Sequence, residues 1–272
     1  MGNLDNMAFL GKQTLILAVE TSSRIGSAAL ALGDVLLDET VFSNPMRHSA
    51  EIFPTIDGLL AKHGHSPRDI GQIHIAAGPG SFTGLRIAVT MAKAMHLAQG
   101  VKVVTVDSLD VVAANLGESA AAAQPQILDQ INRIAALFDA KRGQFYVSLY
   151  DRKPAGAAGP HPPVEDSGYQ IPAPGGSRWH KIHPDSLLTA QEIIEGFAAK
   201  GPLGVVGDGL LYHREEFARE GVVVLPESCW SPHAANVHRL GWQKALLGRF
   251  ADPLGLTPFY LRGPQVTLKR KP

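Results

Sequence analysis

Two apolar segments separated by one helical segment constrain the fold of this chain most. QIHIAA (72–77) and VKVVTV (101–106) are short apolar runs of the kind that form buried strands. Residues 84–99 between them have the composition of a helix. A strand, a helix and a second strand in so short a span predict a parallel crossover.

Three further strands are predicted before this crossover. TLILAVE (14–20), GSAALALG (26–33) and DVLLDETVF (34–42) follow one another with only tight turns between them. A helix is predicted at 49–62, with its apolar residues on one face. Three adjacent strands followed by alternating helices and strands resemble one lobe of the actin-like, ribonuclease-H-like α/β folds.

The second half of the chain contains the same types of element in a less regular order. RIAALFDA and GQFYVSLY are predicted to form a pair of strands, and LGVVGDG and VVVLP are predicted to form two more. Thr189 and Glu192 have the spacing of a capping box, which predicts a helix that ends at Gly201. A last helix is predicted after Ser231, with Pro232 in its first position.

These elements predict two lobes, a first lobe at 1–113 and a smaller second lobe at 114–272. Each lobe is expected to carry a ribonuclease-H-like sheet flanked by helices. The first lobe is expected to carry the partner interface, and the prediction allows the last helix to pack back on that lobe.

Composition limits the classes of partner and the compartment. The 25 basic and 25 acidic side chains give a formal net charge of zero, so the overall field favours no polyanion. Cys229 is the only cysteine, which excludes an intrachain disulfide and a cysteine-rich zinc site. Residues 1–13 lack the basic start of a secretory signal, and no apolar run has membrane-spanning length. A cytoplasmic location without membrane contact is therefore expected.

A glycine-rich loop precedes the crossover helix. Gly78, Gly80 and Gly84 are followed by Leu85 and Arg86, where a P-loop would have lysine and then serine or threonine. The favoured interpretation is that the glycines allow a sharp turn and close packing on a neighbour. Binding of an anion by the amides at the helix start is the alternative.

The helix after this loop is apolar nearly all round. Five residues crowd one side of it, while other apolar residues occupy the remaining sides: Ala88, Met91, Ala92, Met95 and Ala98. A helix of this kind needs cover on more than one side, and a sheet covers only one. The sequence therefore predicts contact with another protein, with cover by the 49–62 helix of the same chain as the alternative.

Several motifs together resemble the bacterial TsaB (YeaZ) family. They are ILAVETSSRIGSAAL, AAGPGSFTGLRIAVTMAKAM, FDAKRGQFYVSLY, VVGDG and PFYLR, which occur in the family's order from about residue 14 to 262. The resemblance implies an actin-like fold and a part in making threonylcarbamoyladenosine in tRNA. It implies a non-catalytic subunit that binds the paralogue TsaD, with the ATPase TsaE as a third protein and with tRNA contacted only through the complex.

The resemblance also implies that the two early helices form a dimer interface, with TsaD or with a second copy. The residues expected at this interface are Ile52, Phe53, Ile56, Leu60, Gly80, Ser81, Phe82, Thr83, Arg86, Ala88, Met91, Ala92 and Met95.

No catalytic residue and no metal site are predicted. TsaD-like sequences carry two metal-binding histidines, four residues apart, in a segment that resembles NHMEGH. At the corresponding place this chain reads DSLDVV, with Ser108 and Val112 at the ligand positions. Neither side chain replaces imidazole, and no two of the 11 histidines are four residues apart.

Two turns leave weak ATP or ADP binding open, although no cofactor is expected to be required. ETSSRIGS stands where actin-like ATPases have a phosphate turn, but it lacks the early glycine, and VVGDG resembles a nucleotide turn of the second lobe. The candidate residues are Glu20, Thr21, Ser22, Gly207, Asp208 and Gly209. A kinase or transferase that uses ATP without a partner is thus the alternative function.

Three further aspartates have structural interpretations. Asp107 and Asp110 flank the start of a predicted helix, where acidic residues act as caps or favour the helix dipole. Asp139 is expected to support the connection between two strands.

Overall fold

The computed structural model describes residues 14–117, 125–154 and 167–262. The first of its two sheets has the strand order β3-β2-β1-β4-β5. Strand β1 pairs with β2 in antiparallel fashion and with β4 in parallel fashion. The bounds are Leu15–Glu20 (β1), Ser27–Leu32 (β2), Val35–Val41 (β3), Ile70–Ala76 (β4) and Lys102–Val106 (β5). The predicted opening strands and the parallel crossover are confirmed.

The second sheet repeats this pattern around β6. Its order is β11-β10-β6-β7-β9-β8, with β6, β7 and β9 antiparallel and with β10 and β11 parallel to β6. The bounds are Arg133–Asp139 (β6), Gln144–Lys153 (β7), Ile171–Pro172 (β8), Arg178–Thr189 (β9), Leu203–Val206 (β10) and Val222–Val224 (β11). Each sheet thus joins an antiparallel set of strands to parallel ones.

Helices cover both faces of the first sheet. Leu15, Leu17 and Val19 of β1 share a buried cluster with α1 and α2, whereas Ile16 packs with Trp242 of α7, because successive side chains point to opposite faces. The helices are α1 (His48–Lys62), α2 (Phe82–Gln99), α3 (Ser108–Ala113), α4 (Pro125–Leu128), α5 (Ala190–Phe197), α6 (Leu210–His213) and α7 (Ala234–Leu246). No described helix is long and apolar enough to cross a bilayer.

The predicted start of the last helix is wrong. Helix α7 begins at Ala234 with His233 as its N-cap, three residues after Ser231. The first free amides are bound by the first sheet, since Ala234 N donates to Ser27 Oγ at 2.8 Å and Ala235 N donates to Glu39 Oε1 at 3.1 Å. Distant side chains therefore cap this helix, in place of a local sequence signal. The capping box of Thr189 and Glu192 at α5 is confirmed.

After α7 the chain returns to α2 as an irregular segment, residues 251–262, which we call the C-terminal strap. It is anchored where Ala251 N donates to Val103 O at 2.9 Å and where Lys93 Nζ donates to Leu254 O at 3.1 Å. Leu256 packs against the same buried cluster as α1 and α2. The strap therefore covers a side of α2 that the sheet does not reach.

Candidate functional site

Three loops meet between the two sheets and enclose a small cleft. They are the end of β1 with the turn after it (20–22), the glycine loop that runs into the first turn of α2 (78–84) and the turn after β10 (207–209). A cavity of about 290 Å³ lies between them, which we call the glycine-loop cleft. Ser22, Gly80 and Phe82 line it from the first sheet's side, and Asp208 and Tyr212 line it from the second.

The glycine loop packs directly on the turn after β1. A Cβ atom at Gly84 would lie 1.7 Å from Thr21 O, and one at Gly80 would lie 2.3 Å from Ser22 O. The two segments are also hydrogen-bonded, from Ser81 N to Ser22 O at 2.6 Å and from Thr21 Oγ1 to Gly84 O at 2.8 Å. Close backbone packing, the favoured interpretation of these glycines, is confirmed.

The same contacts weaken the anion alternative. Ser81 N already donates to Ser22, and Gly84 N donates to Ser81 Oγ at 3.3 Å, which caps helix α2. Two of the amides that would attract an anion are thus engaged within the chain.

Glu20 is completely buried beneath the cleft. Its Oε1 accepts hydrogen bonds from Ser22 N at 2.5 Å and from Ser22 Oγ at 2.6 Å, so the carboxyl group holds the turn in shape. Burial raises the pKa of Glu20 from 4.5 to about 7. The acid predicted for a phosphate turn therefore points inward instead of lining the cavity.

Asp208 connects the two sides of the cleft. Its Oδ2 accepts a hydrogen bond from Arg24 N at 3.1 Å, and burial raises its pKa to about 6. Arg24 Nη1 also donates to the hydroxyl of Tyr212. Gly207 passes so close to β6 that a Cβ atom would lie 2.0 Å from Leu137 O. Gly209 packs on the end of the same strand.

The structure thus brings the two predicted nucleotide turns together, but only Ser22 and Asp208 of their six candidate residues line the cavity. Arg24 and His48 belong to this region and were missed by the sequence. His48 is buried, with its Nε2 hydrogen-bonded to Ser23 O at 2.9 Å, and burial lowers its pKa. No sequence signal marks His48, because it opens α1 beside exposed residues.

The residues predicted for a partner interface divide into buried and accessible sets. Six of them are buried in the chain's own core, so the expectation that they lie on a free surface is wrong: Ile52, Ile56, Leu60, Ala88, Met91 and Ala92. Helix α1, the sheet and the strap cover them. The exposed members are Phe53, Phe82, Thr83 and Arg86, and the half-buried ones are Gly80, Ser81 and Met95. An interface at this face stays a prediction.

Ser108 and Val112, which stand at the positions of the metal-binding histidines of TsaD-like sequences, contribute to packing in this chain. Ser108 is fully buried and its Oγ accepts a hydrogen bond from Gly78 N at 3.1 Å, while Val112 is buried in the core that joins the two sheets. Within residues 14–117, 125–154 and 167–262, no group of three or more His, Cys, Asp or Glu has the arrangement of a metal site.

Asp107 and Asp110 take part in a buried charged cluster on another side of the lobe junction. Lys181 Nζ lies 3.0 Å from Asp107 Oδ2, 2.8 Å from Asp110 Oδ1 and 2.9 Å from Asp185 Oδ1. Asp107 is the N-cap of α3 but makes no capping hydrogen bond, so the capping prediction for its side chain is wrong. We call these four residues the Lys181 cluster.

Two tyrosines complete the Lys181 cluster. Tyr150 and Tyr169 donate their hydroxyl groups to Asp110 at 2.6 and 2.7 Å. Burial raises the pKa of Asp107 to about 7, with Asp110 adding to the rise. No local pattern in the sequence marks Lys181, because its acidic partners at the start of α3 lie some seventy positions earlier in the chain. Asp139, in contrast, supports the β6–β7 connection as predicted, by accepting a hydrogen bond from Lys141 N at 2.6 Å.

The chain is similar to proteins of one tRNA-modification family. The family model "TsaD: tRNA N6-adenosine threonylcarbamoyltransferase" matches residues 43–157. TsaB of Bacillus subtilis is 35% identical over 138 residues, which is 51% of this chain and 56% of that protein. TsaB of Escherichia coli is 29% identical over 258 residues, which cover 94% of this chain and 98% of that protein.

Solved structures show the same fold. YeaZ from Pseudomonas aeruginosa superimposes with a TM-score of 0.66 at 20% identity, over 91% of this chain and all of that one. A second structure from the same organism, described as similar to peptidase YeaZ, gives a TM-score of 0.67 at 22% identity over 92% of this chain. The fold is therefore the predicted actin-like α/β arrangement, and the chain is similar in sequence to proteins named TsaB and in fold to proteins named YeaZ.

Proposed function

We propose that this chain is a non-catalytic subunit that binds a TsaD-type paralogue and supports the threonylcarbamoylation of adenosine in tRNA. One observation carries the proposal. The chain aligns over nearly its whole length with Escherichia coli TsaB, which is named a tRNA threonylcarbamoyladenosine biosynthesis protein. A TsaE-type ATPase completes the complex, and tRNA is reached through the partners, in keeping with the zero net charge of this chain.

The accessory role is supported by the use of Ser108 and Val112. In TsaD-like sequences the corresponding positions hold metal-binding histidines, whereas here a hydroxyl group fixes the glycine loop and an isopropyl group fills the core. Glu20 supports the same interpretation, because its carboxyl group is buried against Ser22 and does not face the cavity. The side chains of Ser108, Val112 and Glu20 therefore stabilise the fold at positions where a catalytic site would need groups that bind a metal or a substrate.

Reconstitution tests the function. The TsaD-type and TsaE-type proteins of the same organism are incubated with unmodified tRNA and the other pathway components, with and without this chain. Modified nucleoside, measured by mass spectrometry, is expected only when the chain is present. The subunit role would be rejected if the chain alone turned over ATP and if tRNA modification proceeded equally well without the chain. The stand-alone kinase or transferase would then be favoured.

The contact surface is tested at Phe53. This side chain lies on α1 and is 60% exposed, so its replacement leaves the core intact, unlike that of the half-buried Met95. Phe53→Glu is expected to weaken binding to the TsaD-type protein at least about tenfold, because it places an unpaired charge at an apolar contact. Binding is measured by calorimetry, and self-association by sedimentation.

Leu247→Glu is the matched control. Leu247 is 63% exposed and follows α7, which packs on the opposite face of the first sheet from α1. Its replacement is expected to leave binding unchanged. Equal affinities of the Phe53→Glu variant and the unaltered protein would remove this face from the proposal without touching the pathway assignment.

A further inference from the structure

The end of the C-terminal strap contains the PFYLR motif and lies beside the glycine-loop cleft. Arg262 Nη1 donates to Ala140 O at 2.6 Å, and Arg262 Nη2 donates to Gln144 Oε1. Both acceptors belong to the hairpin of β6 and β7 in the second sheet. The charge of Arg262 also opposes the rise that burial causes in the pKa of Tyr146, a residue of the cleft wall.

The preceding residues of the motif are attached to the first lobe. Phe259 N donates to Ala77 O at 2.8 Å, and Gly78 passes so close that a Cβ atom would lie 2.4 Å from Phe259 O. The ring of Tyr260 packs on Phe82 with a centroid distance of 5.1 Å. Its hydroxyl group accepts a hydrogen bond from Arg86 Nε at 3.2 Å. Residues 259–262 therefore span from the start of α2 to the hairpin of the second sheet.

Residues 259–262 contact both sides of the cleft and therefore influence its size. They contact Phe82 of the first lobe and Ala140 of the second, and both residues line the cavity. The cavity of about 290 Å³ lies just below the range of roughly 300–1,000 Å³ that is typical of small-molecule sites. We propose that residues 259–262 are a clasp that holds the two lobes together on this side and keeps the cleft in a closed state.

The other contacts between the two lobes determine how the cleft opens when the clasp is released. Lys181 bridges α3 of the first lobe and β9 of the second through buried charged groups, which are costly to separate. The clasp rests on hydrogen bonds from one guanidinium group to two uncharged acceptors near the surface. Release of Arg262 therefore opens the cleft, while the Lys181 cluster remains in contact and serves as the pivot.

Hydrogen–deuterium exchange of the lone protein tests the clasp. The reporter is the amide of Arg24, which is bound across the cleft by Asp208, and the reference is β2 in the first sheet. Arg262→Ala is expected to speed exchange at Arg24 about tenfold, the loss expected for hydrogen bonds to a charged group, and to leave β2 unchanged. Leu254→Ala is the matched control, since this strap side chain is 64% exposed and its contact with Lys93 uses only the backbone.

A second variant removes the same contact from the other side. Gln144→Ala is expected to speed exchange at Arg24 in the same direction, and the double variant is expected to add little to Arg262→Ala, because the two residues form one interaction. The proposal is overturned if both single variants leave Arg24 at its original rate, or if β2 accelerates as much as Arg24. The experiment needs no partner protein, so its outcome is independent of the proposed function.

Discussion

The two lobes are joined in chemically different ways at the glycine-loop cleft and at the Lys181 cluster. At the cleft, the close glycine contacts shape each side separately, and the lobes are tied by single hydrogen bonds such as that from Arg24 N to Asp208. At the cluster, one ammonium group is shared by three carboxylates. The first junction is easy to open and the second is costly to break, so motion between the lobes is expected at the cleft.

The largest expected effect is the loss of the ammonium group from the cluster. Lys181→Met keeps the volume but leaves the buried carboxylates of Asp110 and Asp185, and the half-buried one of Asp107, without their cation. The free energy of unfolding, measured with urea at pH 8, is expected to fall by about 3–5 kcal/mol. The loss is expected to be smaller at pH 6, because the pKa of Asp107 is raised to about 7 and this acid then takes up a proton.

Lys141→Met is the matched control at the cleft. Lys141 pairs with Asp139 at 2.6 Å, but its side chain is 78% exposed, so its removal is expected to cost less than about 1 kcal/mol. Similar losses for the two lysine variants would contradict the distinction between the two junctions.

The two junctions also differ in how well the sequence predicts them. The glycine loop is recognisable from spacing alone, because only glycine permits backbones to approach as closely as Gly84 approaches Thr21. The Lys181 cluster joins residues from α3 and β9, and each acid alone has a local explanation at a helix start. Periodicity and turn signals report local structure, so most strands were found while this long-range pairing was missed.

The apolar surface of α2 shows the same limit of sequence-based prediction, which detects local structure but not distant contacts. A helix that is apolar on several sides needs cover, and the sequence identified this need correctly. It did not identify the source of the cover, because the C-terminal strap is irregular and has no helical or strand period. Leu256 and Met95 pack with α1 and the sheet around α2, so much of the predicted partner surface is interior.

The next largest effect is a pH dependence that arises at the cleft. Burial raises the pKa of Glu20 from 4.5 to about 7, so the folded protein keeps this proton at pH values where the unfolded chain has released it. This contribution to stability is present below pH 4.5 and is lost as the pH rises through 7. Glu20→Gln is expected to remove about 3 kcal/mol of this variation between pH 4 and 8.

Glu192→Gln serves as the control for this pH dependence. Hydrogen bonds from Thr189 lower the pKa of Glu192, so its contribution has the opposite sign and is lost as the pH falls. The measurement is urea unfolding at several pH values. An unaltered pH profile in the Glu20→Gln variant would mean that this carboxyl group is solvated in the folded protein.

The smallest expected effect is that of a glycine-to-alanine substitution, which we compare at Gly84 and at Gly58. At Gly84 an added methyl group would meet the backbone oxygen of Thr21 at 1.7 Å, so Gly84→Ala must push the start of α2 away from the turn after β1. A loss of about 1–3 kcal/mol is expected from this overpacking. At Gly58 on α1 nothing lies within 4 Å of the added atom, so Gly58→Ala is expected to stabilise the protein by about 0.5–1 kcal/mol through helix propensity. Thermal unfolding is expected to show a loss of stability for Gly84→Ala and a gain for Gly58→Ala. A stabilised Gly84→Ala variant would show that the glycine loop does not need its close contact.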